Sequence, residues 1–403
     1  MGVALGPFDE ALLAGVDTVV ASPGLALGEP VLRAAAARGI EIVGDVEIFA
    51  REVALANGVR VIGITGTNGK STVTALAGAM AEFAGYRTVV AGNIGLPVLE
   101  ALERPEGRSA QVFVVELSSY QLETTSSLEL ESAAMLNLSQ DHLDRYGGME
   151  AYARAKERIF RHARTRVLNR DDAWSRAMAG DRTLTFGLGV PANESEWGLD
   201  DAQSKLMHGR DTLVAVDQMT MKGLHNAANA LAAHALVSAI GAAPEPLARA
   251  IAEFRGLSHR VELVAEAGGV RFFDDSKGTN VGATVAALEG FRMPVVLIAG
   301  GDGKGQDFSP LAPAVRARAK AVILIGRDAN AVGAALAGTG VPMEHAETMP
   351  QAVEAAFRRA QAGDAVLLSP ACASLDMFRD YKHRADVFVD AVHALASTET
   401  TSC

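Results

Sequence analysis

A chain of 403 residues is too long for one ordinary core, so two or three domains are expected. Its 49% hydrophobic and 5% aromatic content suits an Ala/Val/Leu-built α/β enzyme and excludes a disordered or fibrous protein. A net charge of −11 argues against a general nucleic-acid or anionic-membrane binder, so any anionic substrate must be held by local positive groups.

Residues 1–50 read as a βαβ fragment. A strand at 16–21 ends in the turn Ser22-Pro23-Gly24, an Ala-rich helix covers 32–38, and a second strand covers 40–43. A complete nucleotide-binding half would need a preceding strand and Gly-rich turn, so this domain is expected to be partial.

From 53 to 256 the pattern is that of a mononucleotide-binding domain. The apolar run Val61-Ile62-Gly63-Ile64 leads into Thr65-Gly66-Thr67-Asn68-Gly69-Lys70-Ser71-Thr72. Val73, Leu76, Ala77, Met80 and Phe83 then recur at helical spacing. Strand, Gly-rich turn and helix are the context of a phosphate-binding loop. Its glycines let backbone N–H groups turn towards phosphates, and the helix N-terminus adds positive potential. Lys70 would reach the β/γ-phosphates, and a hydroxyl of Ser71 or Thr72 would take Mg²⁺. Ile64 stands where the strict pattern has its first Gly.

Further along, a strand at 89–91 ends in the small-residue turn Gly92-Asn93-Ile94-Gly95. The strand at 112–117 carries Glu116 after four apolar residues, a costly place for a charge unless it is paired or metal-bound. A strand at 133–138 runs into Ser139-Gln140-Asp141-His142-Leu143-Asp144-Arg145-Tyr146, and the next helix carries Lys156. Alone, His142 reads as structural and Lys156 as a solvated helix lysine. Residues 183–224 suggest a small β excursion, 225–239 a helix, and Pro244 the first residue of another.

The remainder runs βαβα, with strands at 270–274, 295–299, 322–325 and 366–368, which implies a mostly parallel sheet. Three strand ends carry polar clusters: Asp274-Asp275-Ser276-Lys277, Gly300-Gly301-Asp302-Gly303-Lys304 and Ser369-Pro370-Ala371-Cys372-Ala373-Ser374. Together they suggest a second substrate pocket. The polar tail 397–403 is expected to fray. Cys372 and Cys403 show no metal spacing, which fits a reduced, cytoplasmic protein. With no long apolar run, no membrane insertion is expected.

The loop Thr-Gly-Thr-Asn-Gly-Lys-Ser-Thr resembles that of the Mur ligases and folylpolyglutamate synthases. Four further stretches make nearly the whole chain resemble the D-glutamate-adding Mur ligases. These are Glu116-Leu117-Ser118-Ser119-Tyr120-Gln121-Leu122-Glu123, Asp141-His142-Leu143-Asp144-Arg145-Tyr146, Asp274-Asp275-Ser276-Lys277-Gly278-Thr279-Asn280, and Ser369-Pro370-Ala371-Cys372-Ala373-Ser374-Leu375-Asp376.

The resemblance implies an α/β chain of three domains: a partial N-terminal Rossmann-like domain (1–52), a central P-loop domain (53–256) and a C-terminal Rossmann-like domain (257–403). It implies an ATP- and Mg²⁺-dependent ligase joining D-glutamate to UDP-N-acetylmuramoyl-L-alanine through an acyl phosphate, acting as a cytoplasmic monomer in peptidoglycan synthesis. By this resemblance Gly66, Thr67, Asn68, Gly69, Lys70, Ser71 and Thr72 cradle the phosphates, and Asn226, Asn229, Arg260 and Asp275 surround the rest of ATP. Ser71 and Glu116 hold one Mg²⁺; Glu116, His142 and a carbamylated Lys156 serve a second. Asn93 meets the UDP-linked substrate, while Lys277, Thr279, Lys304, Ser374, Leu375 and Tyr381 form the D-glutamate pocket, with Asp302 in the same loop. Tyr381 stands where Phe is common in the family. With a partial first domain, weak uridine-nucleotide binding is expected. A folylpolyglutamate synthase-like ligase and a truncated, non-catalytic nucleotide-binding relative are the alternatives.

Overall fold

The structure, a computed structural model, describes residues 3, 5–56 and 58–401; Cys403 therefore lies outside the described residues. The chain divides into two compact units. The first comprises Met1–Asn137, Glu150–Ala215 and Asn229–Glu253; the second comprises Leu138–Met149, Val216–Ala228 and Phe254–Cys403.

In the first unit, β1 (Thr18–Val20) and β2 (Glu41–Val43) pair in parallel, joined through the helix Pro30–Ala37. Pro30 opens that helix, where its preset φ suits the helix and its missing N–H is not needed. Leu32 and Ala35 pack against Leu13 and Ala21 in a small core of their own. The helix Asp45–Ala54 follows, and its Glu47 is buried. Glu47 accepts from the amides of Ser126 (2.7 Å) and Ser127 (3.0 Å), from the Ser127 hydroxyl (2.8 Å), and from Arg51 (3.2 Å). Burial alone would raise its pKa, but these donors outweigh it and hold the carboxyl at about 2. One side chain thus fastens the N-terminal segment to the Ser126-Ser127 loop.

The main sheet of this unit has nine strands: β3 (Arg60–Thr65), β4 (Thr88–Gly92), β5 (Val112–Glu116), β6 (Ser132–Met135), β7 (Arg166–Asn169), β8 (Thr183–Phe186), β9 (Glu196–Leu199), β10 (Lys205–His208) and β11 (Asp211–Ala215). Their order is β11-β10-β9-β8-β7-β6-β3-β5-β4. Every pair from β4 to β9 is parallel, and only β10 and β11 turn antiparallel. Residues 183–224 are therefore no separate excursion: β8 pairs with β7, satisfying its open edge, and the later strands extend the same sheet. Trp197 on β9 is buried and donates its indole N–H to His234 Nδ1 at 2.9 Å, fixing the strand against the helix Leu224–Ser238. Residues of β3 and β5 are buried on both faces, as central parallel strands require.

The second unit holds β12 (Glu262–Ala267), β13 (Val270–Asp274), β14 (Val295–Gly300), β15 (Ala319–Ile325), β16 (Met343–His345) and β17 (Ala365–Leu368), in the order β12-β13-β17-β14-β15-β16. All pairs but β12–β13 are parallel. The four expected strands are present; β12 and the short β16 are additions. The β12–β13 hairpin turns at Gly268-Gly269, both at positive φ, where glycine is favoured. Apolar layers cover both faces of the sheet. The closing helix Tyr381–Thr401 continues through most of the segment expected to fray. Ser397 stays in it, its hydroxyl donating to His393 O at 2.8 Å. No helix among the described residues is long and apolar enough to cross a membrane.

Candidate active site

The first unit gathers its polar groups at the C-terminal ends of β3 and β5, where ligands bind in open α/β sheets. β3 ends at Thr65, and the loop 66–69 leads into the helix Lys70–Phe83. Gly69 has φ 83°, and a Cβ there would lie 2.5 Å from Asn229 Oδ1; Gly66 has φ 148°, with Leu136 Cβ at 3.0 Å. Both positions need glycine. Asn137 pins the loop: its O and Oδ1 accept from the amides of Thr67 (2.8 Å) and Asn68 (2.9 Å), and its Nδ2 donates to Asn68 O (3.1 Å). Lys70 Nζ folds back to donate to Gly66 O (2.9 Å) and Thr67 O (2.7 Å). Ser71 and Thr72 lie buried in the first helical turn.

Glu116, buried at the end of β5, stands beside Ile64 of β3. Its Oε1 accepts from Asn93 Nδ2 at 2.7 Å, and its Oε2 is buried with no hydrogen-bond partner among the described residues. Asn93 in turn donates its amide to Glu116 O at 2.9 Å. A bare buried carboxylate oxygen is costly, and a divalent cation is the partner that suits it. With the Ser71 hydroxyl at a helix N-terminus, the residues fit Mg²⁺ beside a bound phosphate chain.

Lys156, on the helix Met149–Glu157, is 2% exposed, so the solvated reading is overturned. Its Nζ donates to Gly66 O (2.8 Å) and Thr65 Oγ1 (3.2 Å) and lies 5.0 Å from the Tyr152 ring centre. Lys156 thus ties its helix to the end of β3 and the start of the loop 66–69. Gly66–Thr72, Asn93, Glu116, Lys156 and Asn229 thus belong to the first unit.

His142, Asn226, Arg260, Asp275, Lys277, Thr279, Lys304, Ser374, Leu375 and Tyr381 belong to the second. His142 takes φ 54° ahead of the short helix Leu143–Tyr146. Asn226 Nδ2 donates to Lys222 O at 2.9 Å, in the first turn of its helix. Asp275 follows β13 and is buried; desolvation pushes its carboxyl up to about 7, against the Ser369 hydroxyl (2.7 Å) and the charge of Arg260. Lys277 Nζ sits 3.8 Å from the Tyr381 ring centre, so its ammonium rests on an aromatic face. Thr279 donates its amide to Lys277 O at 2.9 Å. Lys304 Nζ meets Asp141 Oδ1 at 2.6 Å, and Asp302 is ion-paired with Arg327. Ser374 is buried, whereas Leu375 is 71% exposed.

Three contributors escaped the sequence reading. Asn137 and Asp141 stand in or beside the polar run after β6 and gave that signal. Arg384 gave none. It is fully buried and donates to Ser276 O (2.7 Å), Ser276 Oγ (3.0 Å) and Cys372 O (3.0 Å), tying two loops of the second unit. Burial lowers its pKa to about 10, so it stays charged at neutral pH. His259 Nδ1 likewise joins Asp274 Oδ2 at 2.7 Å.

Residues 64–237 match the Mur ligase middle domain, 259–372 the Mur ligase glutamate ligase domain, and 1–44 the Mur ligase MurD-like N-terminal domain. A UDP-N-acetylmuramoylalanine--D-glutamate ligase of Methylobacillus flagellatus is 53% identical, over 100% of this chain and 88% of its own. One of Thiobacillus denitrificans is 55% identical, over 97% of this chain and 86% of its own. Among solved structures, the UDP-N-acetylmuramate-alanine ligase MurC of Thermotoga maritima shares the fold at TM-score 0.64 and 20% identity, over 94% of this chain and 85% of that one. MurF of Acinetobacter baumannii does so at TM-score 0.67 and 18% identity, over 85% and 79%. The chain belongs to the Mur ligase family, in the group of the UDP-N-acetylmuramoylalanine--D-glutamate ligases.

Proposed function

We infer that this chain is an ATP-dependent ligase that adds D-glutamate to UDP-N-acetylmuramoyl-L-alanine in peptidoglycan synthesis. The reading is carried by its 53–55% identity to enzymes of that name along nearly its whole length. The geometry supports the chemistry. A carboxylate is a poor acylating agent, so the γ-phosphoryl group of ATP is transferred to the acceptor's carboxylate, giving an acyl phosphate and ADP. The D-glutamate amine attacks the carbonyl carbon, the C–O bond to phosphate breaks, and the amine's proton is released. Catalysis is positioning and charge neutralisation, which a phosphate loop with Lys70 can supply.

Ser71 and Glu116 would hold one Mg²⁺, and Glu116, His142 and Lys156 a second; a bound ion would neutralise phosphate charge. For Lys156 we propose carbamylation, which replaces a buried ammonium with an oxygen donor. We assign Asn226, Asn229, Arg260 and Asp275 to ATP, and Asn93 to the UDP-linked acceptor. Lys277, Thr279, Lys304, Ser374, Leu375 and Tyr381 go to D-glutamate, whose carboxylates suit lysines. The domains are taken as 1–52, 53–256 and 257–403. We place the enzyme in the cytoplasm as a monomer.

The test is phosphate release by the purified chain with ATP, Mg²⁺, UDP-N-acetylmuramoyl-L-alanine and D-glutamate. Release should require all of them and yield a product heavier by one glutamyl residue. Turnover with a folate acceptor in place of the UDP-linked one would overturn the assignment.

A further inference from the structure

The polar run after β6 contains a residue to which the proposed mechanism gives no task. Asp141 is 11% exposed at its side chain, and its Oδ1 lies 2.6 Å from the ammonium of Lys304, itself 20% exposed. The same oxygen accepts the amide of His142 at 3.0 Å. These groups all lie in the second unit.

The main chain around Lys304 is already fixed. Asp302 and Ala373 exchange both backbone hydrogen bonds (3.0 and 2.8 Å), the Gly303 amide donates to Asp328 Oδ2 (2.7 Å), and the Lys304 amide donates to Asp302 Oδ1 (3.0 Å). Lys304 itself is held at φ 51°, a conformation a non-glycine residue adopts only when its surroundings impose it. What such a loop leaves undetermined is the direction of a long, flexible side chain, which carries roughly 2 kcal/mol of rotamer entropy. Asp141 determines it. An ammonium has three donors, so one can rest on Asp141 while others face a ligand.

We propose that Asp141 is a positioning residue for the incoming amino acid: it holds the Lys304 ammonium ready for a substrate carboxylate and links that hold to the placing of His142. This rests on the reading of Lys304 as part of the D-glutamate pocket. The opposite role is equally concrete: a carboxylate on the pocket lysine could occupy the place of the substrate's own and have to be displaced. The two make opposite predictions.

The test uses the full chain and its Asp141→Asn and Asp141→Glu variants. Reactivity of Lys304 towards an acylating reagent, read by mass spectrometry against the exposed Lys382, should rise in Asp141→Asn. The KM for D-glutamate should rise about tenfold, within the usual range of coupling between neighbouring sites. Most of the loss should fall on that KM rather than on kcat or the KM for ATP, and Asp141→Glu should recover part of it. Unchanged labelling overturns the anchoring. Raised labelling with an unchanged or lower D-glutamate KM overturns the positioning role in favour of displacement. Parent turnover that ignores D-glutamate would instead sink the proposed reaction, and labelling alone would then support or overturn the hold on Lys304.

Discussion

Asn93 grips one oxygen of Glu116 and leaves the other bare: Nδ2 donates to Oε1 at 2.7 Å, while the buried Oε2 has no hydrogen-bond partner among the described residues. An oriented carboxylate is a better ligand than a rotating one, so Asn93→Ala should raise the Mg²⁺ needed for half-maximal phosphate release about 10- to 100-fold. A magnesium titration checks this. An unchanged curve would detach Asn93 from the metal and leave it to the UDP-linked acceptor alone.

Lys70 lies folded on the carbonyls of Gly66 and Thr67. In the proposed reaction its task is to meet the charge that builds during phosphoryl transfer. Lys70→Met should therefore lower kcat by about 10²–10³-fold, the usual cost of removing one such donor. Single-turnover phosphate release measures it, and near-parental turnover would refute the loop as the phosphate site.

Lys277 rests on the face of Tyr381. If Lys277 lies in the D-glutamate pocket as proposed, Lys277→Ala should cost about 2–5 kcal/mol in D-glutamate binding, with ATP binding nearly unchanged. Tyr381→Phe keeps the ring and should behave like the parent, whereas Tyr381→Leu should lose about 0.5–2 kcal/mol of the cation–π support. Calorimetric titration with each ligand separates these outcomes; equal losses for ATP and D-glutamate would place Lys277 elsewhere.

Glu47 should make the seating of the N-terminal segment acid-sensitive. Its carboxyl titrates at about 2 in the folded chain against an ordinary value of 4.5. A depressed folded pKa stabilises fully above the ordinary value, and that contribution is lost as pH falls from 4.5 through about 2. The shift corresponds to about 3 kcal/mol at most. Amide exchange at Ser126, Ser127 and the helix Asp45–Ala54 should quicken across that window, and Glu47→Ala should show fast exchange already at neutral pH. Flat protection from pH 5 to 2 would exclude Glu47 as the fastener.

The sequence exposed the features whose signal is local. A charge at the end of a buried apolar run marked Glu116, and a Gly-rich turn between strand and helix marked the loop 66–69. It hid what depends on pairing across distance. Lys156 reads as a surface lysine, because helical spacing does not say that its ammonium reaches Gly66. Asp141 and Lys304 stand 163 residues apart. β12 mixes Glu262 and Glu266 into its pattern, as an edge strand can, so its strand signal is weak despite the Gly268-Gly269 turn behind it.

The guanidinium of Arg384 has a consequence for mutational drift. At position 372 it reads a main-chain oxygen and not the thiol, which burial pushes up to about 12 and so leaves inert. Nothing chemical is asked of that sulfur, and other small side chains could follow one another at 372 while the path of the backbone stayed put. No such latitude exists at 384, since a shorter or neutral replacement would strand acceptors on both Ser276 and Cys372 at once. Lineages descending from this chain should therefore vary at the residue that is held and stay constant at the residue that holds it.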